Sequence, residues 1–359
     1  MYYIVLTILV FFSSIEVVTG LRSRRWFNLS YILMTFMATF RYGQMDDYFN
    51  YNINYENPDI YMDIDPLFGL LILLFKSISL EYTVFVAIIS LSCMLLSYRF
   101  FCETCKNSCL SLLIFYSYTF MMCPMSSIRQ GLCLGLLMYL YPLLINRSKW
   151  YYLWVILGSF IHLSFLIALF IPFILKFHFY NKKIVLFSIV GLTVLAFVGL
   201  SIATLLPIER ITYYEEGEGV SIWLRMILRI LIITPVILFK PEENTDGYNA
   251  KVICLIGYAL YCLFSFNDLV AGRLEYYFRT FMCLFVAYLI NNNKRTSRYL
   301  SQLGLLLLLH IFLWFKNIDA GIDRMSYKEG ITALNFPYIS VFNKAELKEY
   351  SGIETFGLE

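Results

Sequence analysis

The stretch RYGQMDDYFNY at positions 41–51 follows a hydrophobic segment at 26–40, so an apolar run ends abruptly in an arginine, two adjacent carboxylates and several tyrosines. Charged residues of membrane proteins lie at the membrane faces or in protein-lined cavities, because hydrocarbon does not solvate charge. The stretch therefore predicts that a membrane-spanning helix ends near position 40. The charged loop itself is either an ordinary solvated connection or part of a functional site.

The composition of the whole chain agrees with a membrane protein. Of its 359 residues, 60% are hydrophobic, 18% aromatic and only 15% charged, with a mean hydropathy of +0.68. A helix needs about 20 apolar residues to cross roughly 30 Å of hydrocarbon, and runs approaching that length recur from position 2 to 315. We therefore expect an all-α polytopic membrane protein. The net charge of +3 is small and scattered over the loops, so no nucleic-acid partner is predicted.

The orientation follows from lysines and arginines in short loops, which favour the cytoplasmic side. The basic clusters lie at 22–25, 147–149, 182–183 and 294–298. The first apolar run has its basic residues after it, which indicates a first span rather than a cleaved signal peptide. About twelve spans result, at about 2–20, 26–40, 81–101, 108–123, 131–146, two arms of a hairpin at 150–178, 184–206, 221–239, 252–267, 280–291 and 299–315.

The segment at 65–80 is apolar but short and contains Lys76, and we expect an interfacial or re-entrant helix there. The predicted organisation is a single transmembrane domain at 1–316, with external loops at 41–64, 124–130, 207–220 and 268–279. An external tail at 317–359 follows, whose aromatic residues Phe336, Tyr338 and Phe342 could cover the external face.

The cysteines suggest packing rather than a metal site. Cys102, Cys105 and Cys109 form a C-x2-C-x3-C pattern, but a fourth zinc ligand is missing. Small apolar packing in a reducing compartment is the preferred interpretation. We predict no metal and no cofactor.

Six arginines fall on the predicted external face, which the orientation rule would leave poor in positive charge. Arginine stays charged and pairs bidentately with phosphate, so a pyrophosphate at the membrane surface is the expected ligand. Salt bridges with nearby acids or contacts with lipid head groups are the alternative. The six are Arg41, Arg129, Arg210, Arg225, Arg273 and Arg279, and Arg229 shares a helix face with Arg225.

Carboxylates and tyrosines share this face, including Asp46, Asp47, Asp65 and Glu275. The interfacial aromatic belt explains most of the tyrosines, although aromatic rings and carboxylates also suit a sugar chain. His162 is expected at the external tip of the 150–178 hairpin, where it is either a hydrogen-bonded packing residue or a functional group. No GxSxG, HExxH or Walker-type motif is present, which argues against hydrolases, zinc proteases and ATPases.

A series of short motifs resembles the EpsG-type branch of the Wzy-like O-antigen and exopolysaccharide polymerases. They occur in this order: RYG at 41–43, DDY at 46–48, DPLF at 65–68, SIRQ at 127–130 and HLS at 162–164. That family is expected to have Glu before the proline and a longer His-Lys-Ser motif. Here Asp65 and the HLS motif stand instead, and this departure leaves Asp65 outside the candidate site residues.

The resemblance implies a GT-C-like membrane glycosyltransferase in the bacterial inner membrane with its active site facing outward. Such an enzyme joins undecaprenyl-pyrophosphate-linked repeat units into O-antigen or exopolysaccharide. Its expected partners are the lipid-linked glycan, membrane lipids, a chain-length regulator and a flippase. Because the leaving group is a pyrophosphate, arginines are needed at the developing charge and a base at the acceptor hydroxyl.

The candidate residues follow from combining these arguments. His162 is the first choice as base or phosphate contact, with Asp46 or Asp47 second. The pyrophosphate contacts are expected to be Arg129, Arg210, Arg225, Arg273 and Arg279. The glycan contacts are expected to be Arg41, Tyr48, Gln130, Tyr213 and Tyr214.

Three other classes compete with the polymerase. An O-antigen ligase shares the donor but usually has a large external loop late in the chain, which this sequence lacks. A lipid-linked oligosaccharide flippase should show two similar halves, and no internal repeat is evident. A membrane acyltransferase would need its histidine to face a cytoplasmic thioester, whereas His162 is placed outward.

Reporter fusions test the predicted orientation. A fusion after Asn57 should report the external side and one after Lys183 the cytoplasmic side, because the positive-inside rule assigns them to opposite faces. Alkaline phosphatase and fluorescent protein reporters provide the measurement. Finding both sites on one side would overturn the topology.

Overall fold

The computed structural model describes residues 1–45, 47–176, 191, 194, 222–239, 245–265, 267–292, 297–324 and 327–350. Every regular element within these residues is helical, with one isolated antiparallel bridge between Arg41 and Ser340. The all-α prediction is therefore confirmed for the described part of the chain. The chain divides into two compact units, Met1–Leu166 with His310–Glu359, and Ile167–Leu309.

The first unit begins with two long helices and continues through shorter ones. Its helices, with the last one shared between the units, are α1 (Tyr2–Thr19), α2 (Arg24–Thr39), α3 (Tyr48–Glu56), α4 (Asp59–Met62), α5 (Pro66–Ser77), α6 (Tyr82–Arg99), α7 (Cys109–Ile114), α8 (Ile128–Tyr139), α9 (Tyr141–Ile145), α10 (Lys149–Ser159) and α16 (Ser297–Arg324). Wide π-helical turns extend α6 over Phe100–Thr104 and α7 over Phe115–Phe120. A 3-10 helix spans Leu163–Phe170, and the tail carries a 3-10 turn (Lys344–Glu346) and α17 (Leu347–Tyr350).

The second unit is built around a central long helix. Its helices are α11 (Ile171–Ile174), α12 (Ile222–Leu238), α13 (Asp246–Phe264), α14 (Asp268–Arg279) and α15 (Met282–Asn292). The helices α12, α14 and α15 all pack against α13. This arrangement brings charged residues of α12 and α14 to one side of α13.

Four helices among the described residues are long and apolar enough to cross a membrane, namely Tyr2–Thr19, Tyr82–Thr104, Asp246–Phe264 and Leu303–Ile322. Shorter apolar helices lie at Pro66–Ser77, Cys109–Phe120, Leu163–Ile174 and Ile227–Leu238. A 12-residue helix is about 18 Å long, which is less than the roughly 30 Å of hydrocarbon. Several membrane-spanning helices are thus supported by length and composition, and twelve crossings stay a prediction.

Two glycines let α8 pack closely on neighbouring backbone. A Cβ atom added at Gly135 would lie 2.7 Å from the Cys93 carbonyl oxygen of α6, and one at Gly131 would lie 3.0 Å from the Cys123 backbone. The Cys93 thiol also donates to the Gly131 carbonyl at 2.8 Å. Small residues at such spacing are typical of close helix packing in membranes. The contact fixes the position of the first turn of α8, which carries Arg129.

A buried carboxylate joins α1 to the start of α7. Glu16 is fully buried, and its oxygens accept hydrogen bonds from the Cys109 N–H at 2.8 Å, the Leu110 N–H at 2.9 Å and the Ser108 hydroxyl at 3.1 Å. The first N–H groups of a helix have no partner within the helix and carry partial positive charge. Glu16, which lies in α1, therefore supplies the hydrogen-bond acceptors for the N–H groups at the start of α7.

The tail at 327–350 packs against the beginning of the chain. The Tyr42 N–H donates to the Ile339 carbonyl and the Val341 N–H to the Phe40 carbonyl, both at 3.0 Å. The Tyr338 hydroxyl donates to the Met37 carbonyl at 2.9 Å. Phe336 is buried against Tyr2, with ring centroids 5.2 Å apart, and Phe342 packs on Phe40 at 5.3 Å. The tail is thus an integral part of the first unit.

Removing the Glu16 carboxylate should destabilise the protein. Glu16→Ala leaves the α7 N–H groups buried without their acceptor, and we expect a loss of about 3 kcal/mol in unfolding free energy. Glu103→Ala is the matched control, because Glu103 is exposed in a surface pair with Arg99, where the change should stay within about 0.5 kcal/mol. Thermal unfolding in detergent measures both, and equal stability of the two variants would contradict the capping role.

Candidate functional site

Three separate segments of the first unit converge on one carboxylate. Asp65 directly precedes Pro66, which occupies the first position of α5 and suits it through its fixed φ angle. Arg129 lies in the first turn of α8, and His162 follows the end of α10. The Asp65 side chain does not cap its own helix, so its oxygens point to other segments.

The Asp65 carboxylate contacts all of these segments. Its Oδ2 accepts a hydrogen bond from Arg129 Nη1 in an ion pair, and His162 Nδ1 lies 3.6 Å from the same oxygen. Its Oδ1 accepts the Leu163 N–H at 3.1 Å. Asp65 is 1% exposed and His162 9% exposed. One buried anion therefore holds two cationic or potentially cationic groups.

Backbone contacts fix the segment that carries His162. The Leu67 N–H at the start of α5 donates to the Phe160 carbonyl at 2.9 Å. The Cys133 thiol of α8 donates to the Gly158 carbonyl near the end of α10 at 3.3 Å. The turn between α10 and the 3-10 helix is thus bound to both α5 and α8, and these contacts hold the backbone that carries His162 in place.

Aromatic rings surround the Arg129 guanidinium. Its central carbon lies 4.5 Å from the Tyr61 ring centroid, 5.6 Å from that of Tyr51 and 5.9 Å from that of Phe68, and Nε donates to the Tyr51 hydroxyl at 3.3 Å. Within 6 Å, such rings attract a cation. The hydrogen bonds to Asp65 and Tyr51 use Nη1 and Nε, so the guanidinium is held both by its donors and by the surrounding rings.

A second carboxylate lies beside this cluster. Asp47 precedes α3, and its Oδ2 accepts a hydrogen bond from the Ser127 hydroxyl at 2.6 Å. Ser127 is two residues before Arg129 and immediately precedes α8. Both residues are partly exposed. Asp47 is therefore a carboxylate at the same end of α8 that remains accessible to solvent or ligand.

The surroundings shift the pKa values of Asp65 and Tyr51. Burial acts to raise the pKa of Asp65, but His162, the positive charge of Arg129 and the Leu163 N–H outweigh it, so the pKa lies below its ordinary value. Burial raises the pKa of Tyr51 well above its usual range. At neutral pH the site thus holds a charged carboxylate, a charged guanidinium and neutral phenols.

Other predicted site residues of the first unit lie in its core. Arg41 is 2% exposed, and its Nη1 donates to the Ala38 carbonyl at 2.5 Å and to the Ser90 hydroxyl at 2.7 Å. Tyr48 is 4% exposed and packs on the ring of Tyr82 with centroids 5.2 Å apart. Gln130 is 1% exposed. These three side chains are therefore buried in the first unit.

The second unit contains a separate charged group. Arg229 Nε donates to Glu275 Oε2 at 2.9 Å, and Arg279 Nη1 lies 3.7 Å from Glu275 Oε1. Arg273 is a partly exposed residue of α14. Five predicted residues lie outside the described structure, either entirely, as Asp46, Arg210, Tyr213 and Tyr214, or in their side chain, as Arg225.

Among the charged residues of these two groups, Asp65, Arg229 and Glu275 were not among the predicted site residues. Asp65 and Glu275 belong to the predicted external carboxylates, and Arg229 shares a face with Arg225. The sequence therefore gives a weak indication of each residue. It gives no indication of the residue with which each one pairs. Among the described residues, no three His, Cys, Asp or Glu side chains are placed to hold a metal ion, and Cys102, Cys105 and Cys109 are free thiols.

Neutralising Asp65 should destabilise the first unit. Asp65→Asn keeps the shape but leaves Arg129 without its anion, and we expect a loss of about 3 kcal/mol at neutral pH. Asp63→Asn, an exposed carboxylate two residues earlier, is the matched control and should change stability by less than about 0.5 kcal/mol. Thermal unfolding of the purified proteins at several pH values measures both.

The change in the stability of the protein with pH should have a defined direction. Because the pKa of Asp65 is lowered in the folded protein, its stabilisation is complete above the ordinary value of 3.8 and is lost as pH falls through the lower folded value. Wild type should therefore lose this contribution only in strong acid, whereas Asp65→Asn should lack that part of the pH dependence. The same acid profile in both proteins would contradict the charged state assigned to Asp65.

Comparison with known proteins identifies the family. Searches of curated proteins and of solved structures gave no match. The model of the EpsG family matches residues 24–340, which include every described member of the Asp65 cluster and most of both units. The chain belongs to the EpsG family.

Proposed function

We propose that this protein is a polysaccharide polymerase that joins undecaprenyl-pyrophosphate-linked repeat units at the external face of the bacterial inner membrane. Membership of the EpsG family supports a polymerase-type glycosyltransferase, and the long apolar helices support a membrane location. The observation that carries the proposal is the cluster in which Asp65 joins Arg129 to His162. The product is O-antigen or exopolysaccharide.

The reaction has two electrostatic requirements. The bond between the growing glycan and its pyrophosphate breaks, a hydroxyl of the next lipid-linked unit forms the new glycosidic bond, and undecaprenyl pyrophosphate leaves. Negative charge develops on the leaving oxygen, and the hydroxyl proton must pass to a base. A positioned cation serves the first requirement and a basic side chain near the acceptor serves the second.

Arg129 is the residue that we assign to the pyrophosphate. Its guanidinium is already oriented by Asp65, by Tyr51 and by the face of Tyr61. A cation that is held before the substrate binds does not have to reorganise as charge develops.

His162 is the first choice for the base, and its pairing with Asp65 supports that role. A carboxylate near Nδ1 favours the tautomer with the proton on Nδ1, which leaves Nε2 as the acceptor. The same pairing also stabilises the imidazolium, which would make His162 a phosphate contact instead. Asp47 is the second choice for the base, since it is partly exposed and oriented by Ser127.

The partners follow from this reaction. The donor and acceptor are lipid-linked glycans, and the surrounding membrane lipids contact the exposed apolar helix faces. A flippase must deliver the repeat units to the external face, and a chain-length regulator would set the extent of the polymer. We expect no metal and no other cofactor.

Variants of the two central residues test the proposal in cells. Arg129→Ala and His162→Ala should leave the protein in the membrane while the surface glycan shrinks to a single repeat unit, because delivery continues and joining stops. Each substitution should lower the rate of joining about 100-fold or more. Arg99→Ala is the matched control, because Arg99 forms an exposed pair with Glu103. Glycan length on gels and protein level by immunoblot are the measurements.

The outcomes separate the rival functions. Wild-type chain lengths in both variants would remove Arg129 and His162 from the reaction. Loss of even the single repeat unit from the surface would indicate a flippase, since that protein delivers the unit. Full-length polymer that is made but not attached to lipid A core would indicate a ligase.

A further inference from the structure

The turn that leads from α2 into α3 has a strained backbone. It spans residues 41–45, and two of these residues have left-handed angles, Gly43 with φ +56° and Met45 with φ +69°. Glycine adopts this region freely, but Met45 does so under strain, and such a conformation persists only where surrounding structure holds it. The turn at 41–45 therefore depends on contacts from other parts of the first unit.

Hydrogen bonds from the tail hold two residues of this turn. The Tyr42 N–H donates to the Ile339 carbonyl at 3.0 Å. The Gln44 side-chain amide donates to the Tyr327 hydroxyl at 3.0 Å, and its carbonyl oxygen accepts a hydrogen bond from the Tyr2 hydroxyl at 2.8 Å. Gln44 is fully buried, so its polar atoms have to be paired within the protein. The tail is thus a partner of both the backbone and a buried side chain of the turn.

An apolar contact from the tail reaches the residue between these two. A Cβ atom added at Gly43 would lie 2.7 Å from Leu347 Cδ2 and 3.2 Å from Phe49 Cζ, so the Leu347 side chain and the Phe49 ring meet over Gly43. Leu347 is 1% exposed, and Phe49 lies in the first turn of α3. The tail therefore packs at the point where the turn at 41–45 joins α3.

The same short helix carries residues of the candidate site. Asp47 directly precedes α3 and accepts a hydrogen bond from the Ser127 hydroxyl at 2.6 Å. Tyr51 of α3 accepts a hydrogen bond from Arg129 Nε at 3.3 Å and belongs to the same hydrophobic core as Leu347. Because α3 has only nine residues, a shift of its first turn would move Asp47 and Tyr51 as well.

We propose that Leu347 and Tyr327 of the tail are positioning residues for the Arg129 guanidinium. They hold the turn at 41–45, and that turn fixes the start of α3, whose Tyr51 accepts the hydrogen bond of the guanidinium. The match to the family ends at residue 340, so the role of Leu347 comes from the contacts of this chain itself. A role for Arg129 in the reaction rests on the proposed function, whereas its orientation by the tail rests on these contacts alone.

The rate at which phenylglyoxal modifies Arg129 tests this positioning, because the reagent reacts with accessible guanidinium groups. The purified full-length protein in detergent is treated well below its unfolding temperature, and mass spectrometry follows Arg129 and Arg279 separately. Both side chains are largely buried, at 17% and 8% exposed, and Arg279 in the second unit is the internal reference. Leu347→Ala leaves a cavity beside Gly43 and should raise the rate at Arg129 about tenfold, with no change at Arg279.

The tail also offers a matched control variant. Leu334 is 78% exposed, so Leu334→Ala makes the same chemical change in the same segment without opening the core, and it should leave the Arg129 rate unchanged. Leu347→Met keeps the apolar volume and should return the rate close to that of wild type. Tyr327→Phe removes only the hydroxyl that pairs with Gln44 and should raise the rate about fivefold, which provides the test if Leu347→Ala does not remain monodisperse.

The outcomes distinguish positioning of the site from general packing. A faster reaction at Arg129 alone, reversed in Leu347→Met, supports the proposal. An equal rise at Arg129 and Arg279 means that the tail only stabilises the protein as a whole, and this result overturns the proposal. An unchanged Arg129 rate in both Leu347→Ala and Tyr327→Phe also overturns it, since the tail then has no influence on the site.

Glycan length in cells separates this inference from the proposed function. If both hold, Leu347→Ala should shorten the surface glycan without reducing it to a single repeat unit, because Arg129 is displaced but still present. A faster reaction at Arg129 together with wild-type glycan length would support the positioning role and count against Arg129 as a residue of the polymerisation. The phenylglyoxal measurement does not depend on polymer formation, so it tests the tail even if the polymerase function fails.

Discussion

The buried charge of Asp65 is the constraint on which the candidate site depends. A carboxylate that is 1% exposed must be paired, because leaving it alone in an apolar environment costs several kcal/mol. Arg129, His162 and the Leu163 N–H supply the partners. The same contacts place a guanidinium and an imidazole side by side. Stability and the geometry for chemistry therefore come from one interaction.

The rest of the first unit keeps this interaction in place. The glycines of α8 allow a close contact with α6, which positions the first turn carrying Arg129. The hydrogen bond from Leu67 to Phe160 ties the start of α5 to the end of α10. Tyr51, Tyr61 and Phe68 enclose the guanidinium on its other side. A rigid aromatic wall of this kind preserves the orientation of a cation.

The sequence predicts features that depend on the overall composition or on a short motif. It does not predict contacts between residues that are far apart in the chain. Helical class and membrane character follow from composition, and the order of short motifs is enough to recognise the EpsG family. The bridge through Asp65 joins residues 64 and 98 positions apart, and a carboxylate before a proline is also an ordinary start of a helix. The tyrosines are a second example. Residue type alone does not distinguish a tyrosine at the membrane interface from one buried in the core, such as Tyr48 or Tyr51.

The contacts of the tail have a consequence for how the chain is made. Tyr3 donates to the Ala333 carbonyl and accepts from the Phe336 N–H, across 330 and 333 positions. The first unit includes both Met1–Leu166 and His310–Glu359, and the residues of the second unit, Ile167–Leu309, come between these two ranges in the sequence. Domains generally assemble as their residues leave the ribosome. In this protein Glu16 of α1 can meet the start of α7 once residues 108–110 are made, whereas Tyr3 has to wait until residues 333–336 are made. The beginning of α1 is therefore fixed in place later than the rest of that helix.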